Sequence, residues 1–145
     1  MATSKWGAPE AIATALSAEL NALANNGTAI MAAGIDNATG RYTHLNLELY
    51  VAAQGVARSA GAYVAIYILP SVDGTNYDDA TVAAAIDAMQ VYCALDAATT
   101  ARYKVKVNIP IPPLLFKLMV ANKTGQALAA TLNTLKYRRH CGDVS

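Results

Sequence analysis

Strict alternation of apolar and polar residues is the sequence feature that most constrains how this chain can fold. Every second residue is leucine or valine in residues 44–51, and tyrosine, valine or isoleucine in residues 102–109. Because successive side chains of a strand point to opposite faces, this period predicts two half-buried β-strands. In the second segment we expect a buried face and a solvated face. The predicted buried side chains are Tyr103, Val105, Val107 and Ile109, and the predicted solvated ones are Arg102, Lys104, Lys106 and Asn108.

Further segments also have strand-like composition between turn-forming residues. Residues 62–69 (AYVAIYIL) are apolar on both faces, as expected of a central strand. The other candidate strands are residues 28–33, 89–95, 114–121 and 128–138. Seven or eight short strands with turns between them predict an all-β, antiparallel sandwich or barrel. Pro110, Pro112 and Pro113 cannot donate to a central ladder, so they predict a sheet edge or an exposed crossover.

The beginning of the chain has a different period. Pro9 suits the first turn of a helix, and the residues Ile12, Leu16, Leu20 and Leu23 recur at helical spacing before the Asn-Asn-Gly stop at 25–27. We therefore predict a short helix over residues 9–24. The predicted organisation is one domain spanning 1–145. Its parts are an N-terminal arm (1–8), the helix (9–24), the sandwich (28–139) and a C-terminal tail (140–145).

Composition narrows the classes of function. The chain has 145 residues, of which 54% are hydrophobic, 31 are alanine and only 14% are charged. Ordinary domains carry roughly 25% charged residues, so we expect this one to be a component of an assembly. A net charge of +1 argues against direct binding of nucleic acid, which usually needs a basic balance.

The sequence also bears on compartment and redox state. It contains no continuous apolar run of membrane-spanning length, and its first residues lack the apolar centre of a signal peptide. We therefore expect no membrane partner and synthesis in a cytoplasm. Cys93 and Cys141 do not have metal-ligand spacing, so we expect two free thiols.

Candidate chemistry is sparse. His44 and Glu48 would lie about 13 Å apart on a strand, too far to share one ion, and the chain has only one other histidine, His140. The loop residues Asp73, Asn76, Asp78 and Asp79 have the oxygen ligands that Ca²⁺ prefers. Their spacing fits no helix–loop–helix site, so a tight turn is the simpler interpretation. We expect no catalytic residue, no cofactor and no metal.

Contact surfaces are the remaining candidates for function. Arg102, Lys104 and Lys106 would dock on an acidic protein surface, or would be a solvated sheet face whose lysines discourage aggregation. Trp6, the single tryptophan, would either anchor an interface or cap its own domain. The predicted interface residues are Trp6, Asp73, Asn76, Tyr77, Arg102, Lys104, Lys106 and Arg138.

Several runs resemble small virion structural proteins of tailed bacteriophages. The longest is residues 62–77 (AYVAIYILPSVDGTNY). The others, in the same order as in those proteins, are residues 13–25 (ATALSAELNALAN), 109–117 (IPIPPLLFK), 122–128 (NKTGQAL) and 133–139 (NTLKYRR). Each run is short, and their ordered combination carries the resemblance. Leu114 departs from it, because a glycine would be expected after the paired prolines.

The resemblance implies a non-enzymatic cement, or decoration, protein of the phage head, with a jelly-roll sandwich. Such a protein would bind the outer capsid surface of the virion as a dimer or trimer, the dimer being favoured here. Its partners would be the major capsid protein and itself, after synthesis in the host bacterial cytoplasm. The alternative is a carbohydrate- or receptor-binding jelly-roll module of a tail fibre or baseplate, whose ligand would meet residues 73–77. A small cupin-like enzyme would need more histidines than the chain has.

Overall fold

The structure, a computed structural model, describes residues 4–6, 8–79 and 88–144, with residues 4–6 and 142–144 described in their backbone alone. Its strands are β1 Ser4–Trp6, β2 Ala13–Leu16, β3 Thr28–Ile30, β4 Ile35–Asp36, β5 His44–Val51, β6 Tyr63–Ser71, β7 Met89–Ala94, β8 Arg102–Pro110, β9 Leu115–Lys123, β10 Thr134–His140 and β11 Gly142–Val144. One short 3₁₀-helix, Ala18–Leu20, follows β2. Among the described residues no helix is long and apolar enough to cross a membrane.

The strands form two main antiparallel sheets and a small terminal ribbon. The four-stranded sheet has the order β2-β10-β5-β8, and the five-stranded sheet has the order β3-β9-β6-β7 with β4 also pairing with β9. The ribbon pairs β1 with β11. Four of the pairs are nested along the chain: β2 with β10, β3 with β9, β5 with β8 and β6 with β7. The predicted all-β, antiparallel architecture is confirmed.

The core lies between the two main sheets. The alternation of residues 44–51 places Leu45, Leu47 and Leu49 inside β5, each at most 1% exposed. They join one buried cluster with Ile66 from β6 and Phe116 from β9. Burying a leucine side chain contributes roughly 1.5–3 kcal/mol, so this alternation is a main source of the association of the sheets.

The central-strand prediction is confirmed in β6. This strand pairs with β7 on one side and β9 on the other, and its residues Val64, Ala65 and Ile66 are all buried. The prolines also lie where expected, since Pro110 ends β8 at the margin of one sheet and Pro112 and Pro113 lie in the connection to β9 in the other.

The predicted helix over residues 9–24 is wrong. Ala13–Leu16 is the strand β2, which pairs with β10, and only Ala18–Leu20 is helical. Ile12 is 66% exposed whereas Leu16 and Leu20 are buried, so the apolar stripe does not form one helical face. The edge of β10 offers backbone hydrogen bonds to this segment, and this tertiary pairing overrides a marginal alanine-rich helix.

The predicted faces of β8 are reversed over most of the strand. Tyr103, Val105 and Val107 are 67%, 60% and 61% exposed, while Lys104 and Lys106 are half-buried. The cause is a β-bulge: Leu45 lies opposite Ile109 but Leu47 lies opposite Lys106, so that one residue of β5 faces two of β8. An extra residue in one strand moves each side chain before the bulge to the opposite face of the sheet. Ile109 is therefore buried as predicted, whereas the apolar side chains of Tyr103, Val105 and Val107 point outward.

Candidate contact surface

The bulge of β8 is stabilised by two asparagines. Asn108 has a φ of +55°, a left-handed conformation that asparagine tolerates better than β-branched residues. Its backbone N–H donates to Oδ1 of Asn46 across the sheet, at 3.0 Å. This pair keeps the extra residue in place and thereby holds Val107 and Val105 on the outer face.

An exposed apolar row results on the outer face of the four-stranded sheet. It consists of Tyr103, Val105 and Val107, and we call it the β8 row. The ring of Tyr103 lies 4.5 Å, centroid to centroid, from the ring of Tyr50 on the neighbouring strand β5. This contact fixes one end of the row, because an aromatic cross-strand pair restricts both side chains.

A shallow groove of about 240 Å³ runs beside the β8 row. Ile12 and Val105 contribute apolar surface to it, and Glu48, Lys136 and Arg138 contribute charge. Glu48 lies directly opposite Lys136 in the β5–β10 ladder. The outer face therefore combines an apolar ridge with a polar margin, which is the arrangement of a protein contact surface.

Arg102, a predicted interface residue, is engaged within its own chain. Its guanidinium forms an ion pair with Asp96, which also pairs with the buried Arg58 at 2.9 Å. Hydrogen bonds from Arg102, which have the largest effect, and from Arg58 lower the pKa of Asp96 to about 2. The three residues join the start of β8 to the loop around Arg58.

Lys104 and Lys106 lie opposite the buried Leu49 and Leu47 of β5, and their charges act on the buried Cys93 of β7. Burial raises the pKa of the Cys93 thiol, while the charges of Lys106 and Lys104 act in the opposite direction. Long lysine side chains bury their stems and extend their ammonium groups toward solvent. The two cations thus line the open margin of the sandwich instead of its outer face.

Arg138 also has a partner within the chain. Its Nε donates to the backbone oxygen of Glu10 at 2.7 Å, and the next residue, Arg139, forms an ion pair with the Glu10 carboxylate. The hydrogen bond from Arg139 lowers the pKa of Glu10. These contacts attach the segment before β2 to β10.

The loop after β6 is organised around Asp73. Its carboxylate accepts hydrogen bonds from the backbone N–H groups of Thr75 and Asn76 and from the Asn76 side chain, at 2.7–2.8 Å. The bonds from Asn76 and Thr75 hold the pKa of Asp73 well below its usual range. The described geometry is the tight turn that was the simpler interpretation of this loop.

Tyr77 packs against its own chain at the base of this loop. The ammonium nitrogen of Lys117 lies 4.4 Å from the centre of its ring. A Cβ at Gly34 would lie 2.2 Å from the Tyr77 hydroxyl oxygen, so this close approach requires glycine. One face of the ring is therefore covered by a cation from β9.

Trp6 is described only in its backbone, which lies opposite Gly142 in the β1–β11 ribbon. Its side chain, and with it the predicted anchoring role, lies outside the described residues. The Asp73 turn, the β8 residues and Arg138 belong to different strands and loops, and their role as an interface stays a prediction.

One pairing was missed by sequence reasoning. His44 and His140 lie directly opposite each other in the β5–β10 ladder, with ring centroids 5.5 Å apart and stacked. Burial has the largest effect on the pKa of His140 and lowers it, and the charge of His44 lowers it further. In the described part of the chain no group of three or more His, Cys, Asp or Glu side chains is placed to hold a metal ion. Both cysteines are free thiols.

Comparison with known proteins gives distant structural similarities, among them one to a tymovirus chain and one to a phage tailspike domain. No family model matches the chain, and no curated protein matches it in sequence. A chain from Desmodium yellow mottle tymovirus is similar with a TM-score of 0.38 and 10% identity, covering 100% of this chain and 89% of that one. The enzymatically active domain of tailspike protein 4 of bacteriophage CBA120 is similar with a TM-score of 0.38 and 9% identity. That match covers 99% of this chain and 19% of the tailspike chain.

Proposed function

We propose that the protein is a non-enzymatic cement protein of a tailed-bacteriophage head, which binds the outer surface of the assembled capsid and bridges major capsid protein subunits. The observation that carries the proposal is the β8 row, three large apolar side chains that are each at least 60% exposed on one strand. Contiguous exposed apolar side chains with a polar margin mark a contact surface. The ordered phage-like runs of the sequence are the reason for proposing a phage capsid protein as the partner.

The strand order supports a jelly roll as the scaffold. Counting β2, β3, β5, β6, β7, β8, β9 and β10 as eight strands, the first pairs with the eighth, the second with the seventh, the third with the sixth and the fourth with the fifth. These nested pairs describe a long folded hairpin wrapped into two sheets, as in a jelly roll. In this scaffold the segment expected to be a helix supplies the first strand.

The proposed mechanism of shell stabilisation follows from the linkage between binding of the protein and assembly of the shell. A protein that binds the assembled shell and not its separate subunits stabilises the shell by mass action. Each copy that bridges two subunits adds its binding free energy to the cost of separating them. Pressure from packaged DNA acts on the same joints, so full occupancy would raise the temperature at which the shell opens.

The test is to heat shells with and without the protein. We expect saturable binding to expanded shells. We also expect a higher rupture temperature, measured as the fluorescence of a DNA-binding dye when the opened shell exposes its packaged DNA. Val105→Asp should weaken binding at least about tenfold, because a charge within the apolar contact is costly. The matched control is Val56→Asp, at another valine with the same 60% exposure outside the β8 row. Equal rupture temperatures with and without the protein would overturn the proposal.

The carbohydrate-binding alternative receives less support from the geometry. The Asp73 carboxylate already accepts bonds from its own turn, and Lys117 lies over the ring of Tyr77. A sugar that bound the Asp73 carboxylate or the covered face of the Tyr77 ring would have to displace these contacts. Specific binding on a glycan array, abolished by Tyr77→Ala, would favour this alternative over the cement function.

A further inference from the structure

We propose that the open edge of β8 binds an extended segment of the partner, which adds as an antiparallel strand and alternates apolar with acidic residues. The inference rests on the proposed function in assigning this segment to a capsid subunit. It goes beyond that function by stating the chemistry and the backbone geometry of the contact.

The edge of β8 is available for pairing. Among the described residues β8 is hydrogen-bonded to β5 on one side and to no strand on the other. An edge strand presents the backbone N–H and C=O groups of alternate residues, which an extended peptide can pair with. Residues 102–106 precede the bulge and have regular register with β5, so they provide a template of five residues.

The side chains of β8 determine what such a segment would carry. On the outer face Tyr103, Val105 and Val107 are exposed and apolar, and on the other face Lys104 and Lys106 are half-buried and cationic. Directly opposite side chains of an antiparallel pair lie about 5 Å apart and interact. A matching strand would therefore place apolar residues beside Tyr103 and Val105, and carboxylates beside the two lysines.

Arg102 is not counted as a third cationic position, because its guanidinium is already paired with Asp96. The bulge at Val107 and Asn108 ends the regular ladder at the other side. The expected motif is consequently short: acidic, apolar, acidic and apolar residues opposite Lys106, Val105, Lys104 and Tyr103 in turn.

A second copy of this chain is a poor occupant of the same edge. In a symmetric antiparallel pair centred on Val105, Lys104 of one copy would lie opposite Lys106 of the other; a pair centred on Lys104 would place the two copies of that residue together. Like charges directly opposite each other are destabilising. The two lysines thus disfavour pairing between two copies of β8 and favour pairing with an acidic strand. Repulsion of one partner and attraction of another make the edge selective.

Peptide binding to the full chain tests the chemistry. The probe is a capped, fluorescently labelled peptide TVEVEVT, and the control is TVKVKVT. We expect the glutamate peptide to bind at least about tenfold more tightly than the lysine peptide, and Lys104→Glu to remove most of this preference. Arg41→Glu makes the same change in net charge at an exposed loop residue, and it should alter the affinity less than about twofold.

Backbone methylation tests the geometry. Two versions of the glutamate peptide carry N-methyl groups on alternate residues, one set on each edge of the strand. Strand addition predicts that one version loses binding and the other keeps it, because only one edge donates to β8. Equal binding of both versions, or equal binding of the glutamate and lysine peptides, would overturn the inference.

Shell binding separates this inference from the proposed function. If the wild-type protein and Lys104→Glu bind shells equally, while the protein still raises the rupture temperature, the edge-pairing inference is wrong and the cement function stands. If the wild-type protein binds no shells, the cement function is wrong whatever the peptides show.

Discussion

The two edges of the four-stranded sheet differ in what lies along them. At the closed edge, β2 and Glu10 lie along β10, and Arg138 and Arg139 bind Glu10. At the open edge, β8 has no further strand among the described residues and its apolar side chains face outward. Both end strands, β2 and β8, pair with a neighbouring strand on one side only. The short β2 is attached by charges within the chain, whereas the longer β8 exposes an apolar row and is the edge that we propose for a partner.

This difference separates stability from binding. Substitutions at the closed edge remove contacts that the folded chain already makes, so they should lower the free energy of unfolding. Substitutions in the β8 row remove surface that is already in water, so they should change binding and leave unfolding almost unchanged. The following changes test that division.

The largest loss of stability is expected for Asn133→Leu at the end of the closed edge. The Asn133 amide donates to the backbone oxygen of Ala129 at 2.7 Å, and its oxygen accepts from Ala52 N–H at 3.0 Å. Leucine has similar size but leaves these buried groups without partners. We expect a loss of about 3 kcal/mol in urea unfolding. A loss below about 0.5 kcal/mol would mean that the amide contributes little to holding this edge closed.

A smaller loss, about 1–2 kcal/mol at pH 7, is expected for Glu10→Gln, because Arg139 loses its ionised partner. The pKa of Glu10 is lowered in the folded state by its hydrogen bond with Arg139. Its contribution is therefore fully present above the ordinary value of 4.5 and is lost as pH falls through the lower folded pKa. The stability difference between variant and wild type should shrink as pH is lowered from 5 to about 2.5. A difference independent of pH would contradict the ion pair's role.

The next loss of stability is expected for a substitution in the bulge of β8. Asn108→Val should cost about 1–2 kcal/mol, because a β-branched residue is strained at a φ of +55°. Asn108→Gly is the matched control, since glycine adopts this conformation without strain. Calorimetric unfolding of the two variants measures the difference. Equal stability of the valine and glycine variants would show that the bulge does not depend on this backbone conformation.

The smallest effect on stability is expected in the β8 row. Val105→Ser should change the free energy of unfolding by less than about 0.5 kcal/mol while weakening shell binding several-fold. Chemical denaturation and shell co-sedimentation of the same preparation measure the two quantities. A large loss of stability would mean that the row belongs to the folding core and not to a contact surface.

Much of the fold was predictable because it depends on local period. The alternation of residues 44–51 and the apolar run 62–69 gave β5 and β6 with their correct burial. The turn at Asp73 was also predictable, because its side chain bonds its own backbone. In each case neighbouring residues determine the outcome.

The wrong predictions concern segments whose structure depends on residues that are distant in the sequence. Residues 9–24 have helical spacing, but β10 supplies a ladder that the segment joins instead. Regular alternation predicts the β8 row in the core, because Tyr103 and Ile109 are six positions apart and an even spacing places both on one face. The bulge between them inverts that relation. Asn108 was the available signal, since an asparagine between Val107 and Ile109 of a strand is a candidate for a left-handed residue. The His44–His140 pairing depends on ladder register, which the sequence did not specify.

Hydrogen exchange of the protein on expanded shells tests the central claim most directly. Because the open edge is proposed to carry the contact, amides of β8 should gain protection on binding, while those of β2 at the closed edge keep the rates of the unbound protein. Protection confined to β2 and residues near Glu10, with β8 unchanged, would contradict the account.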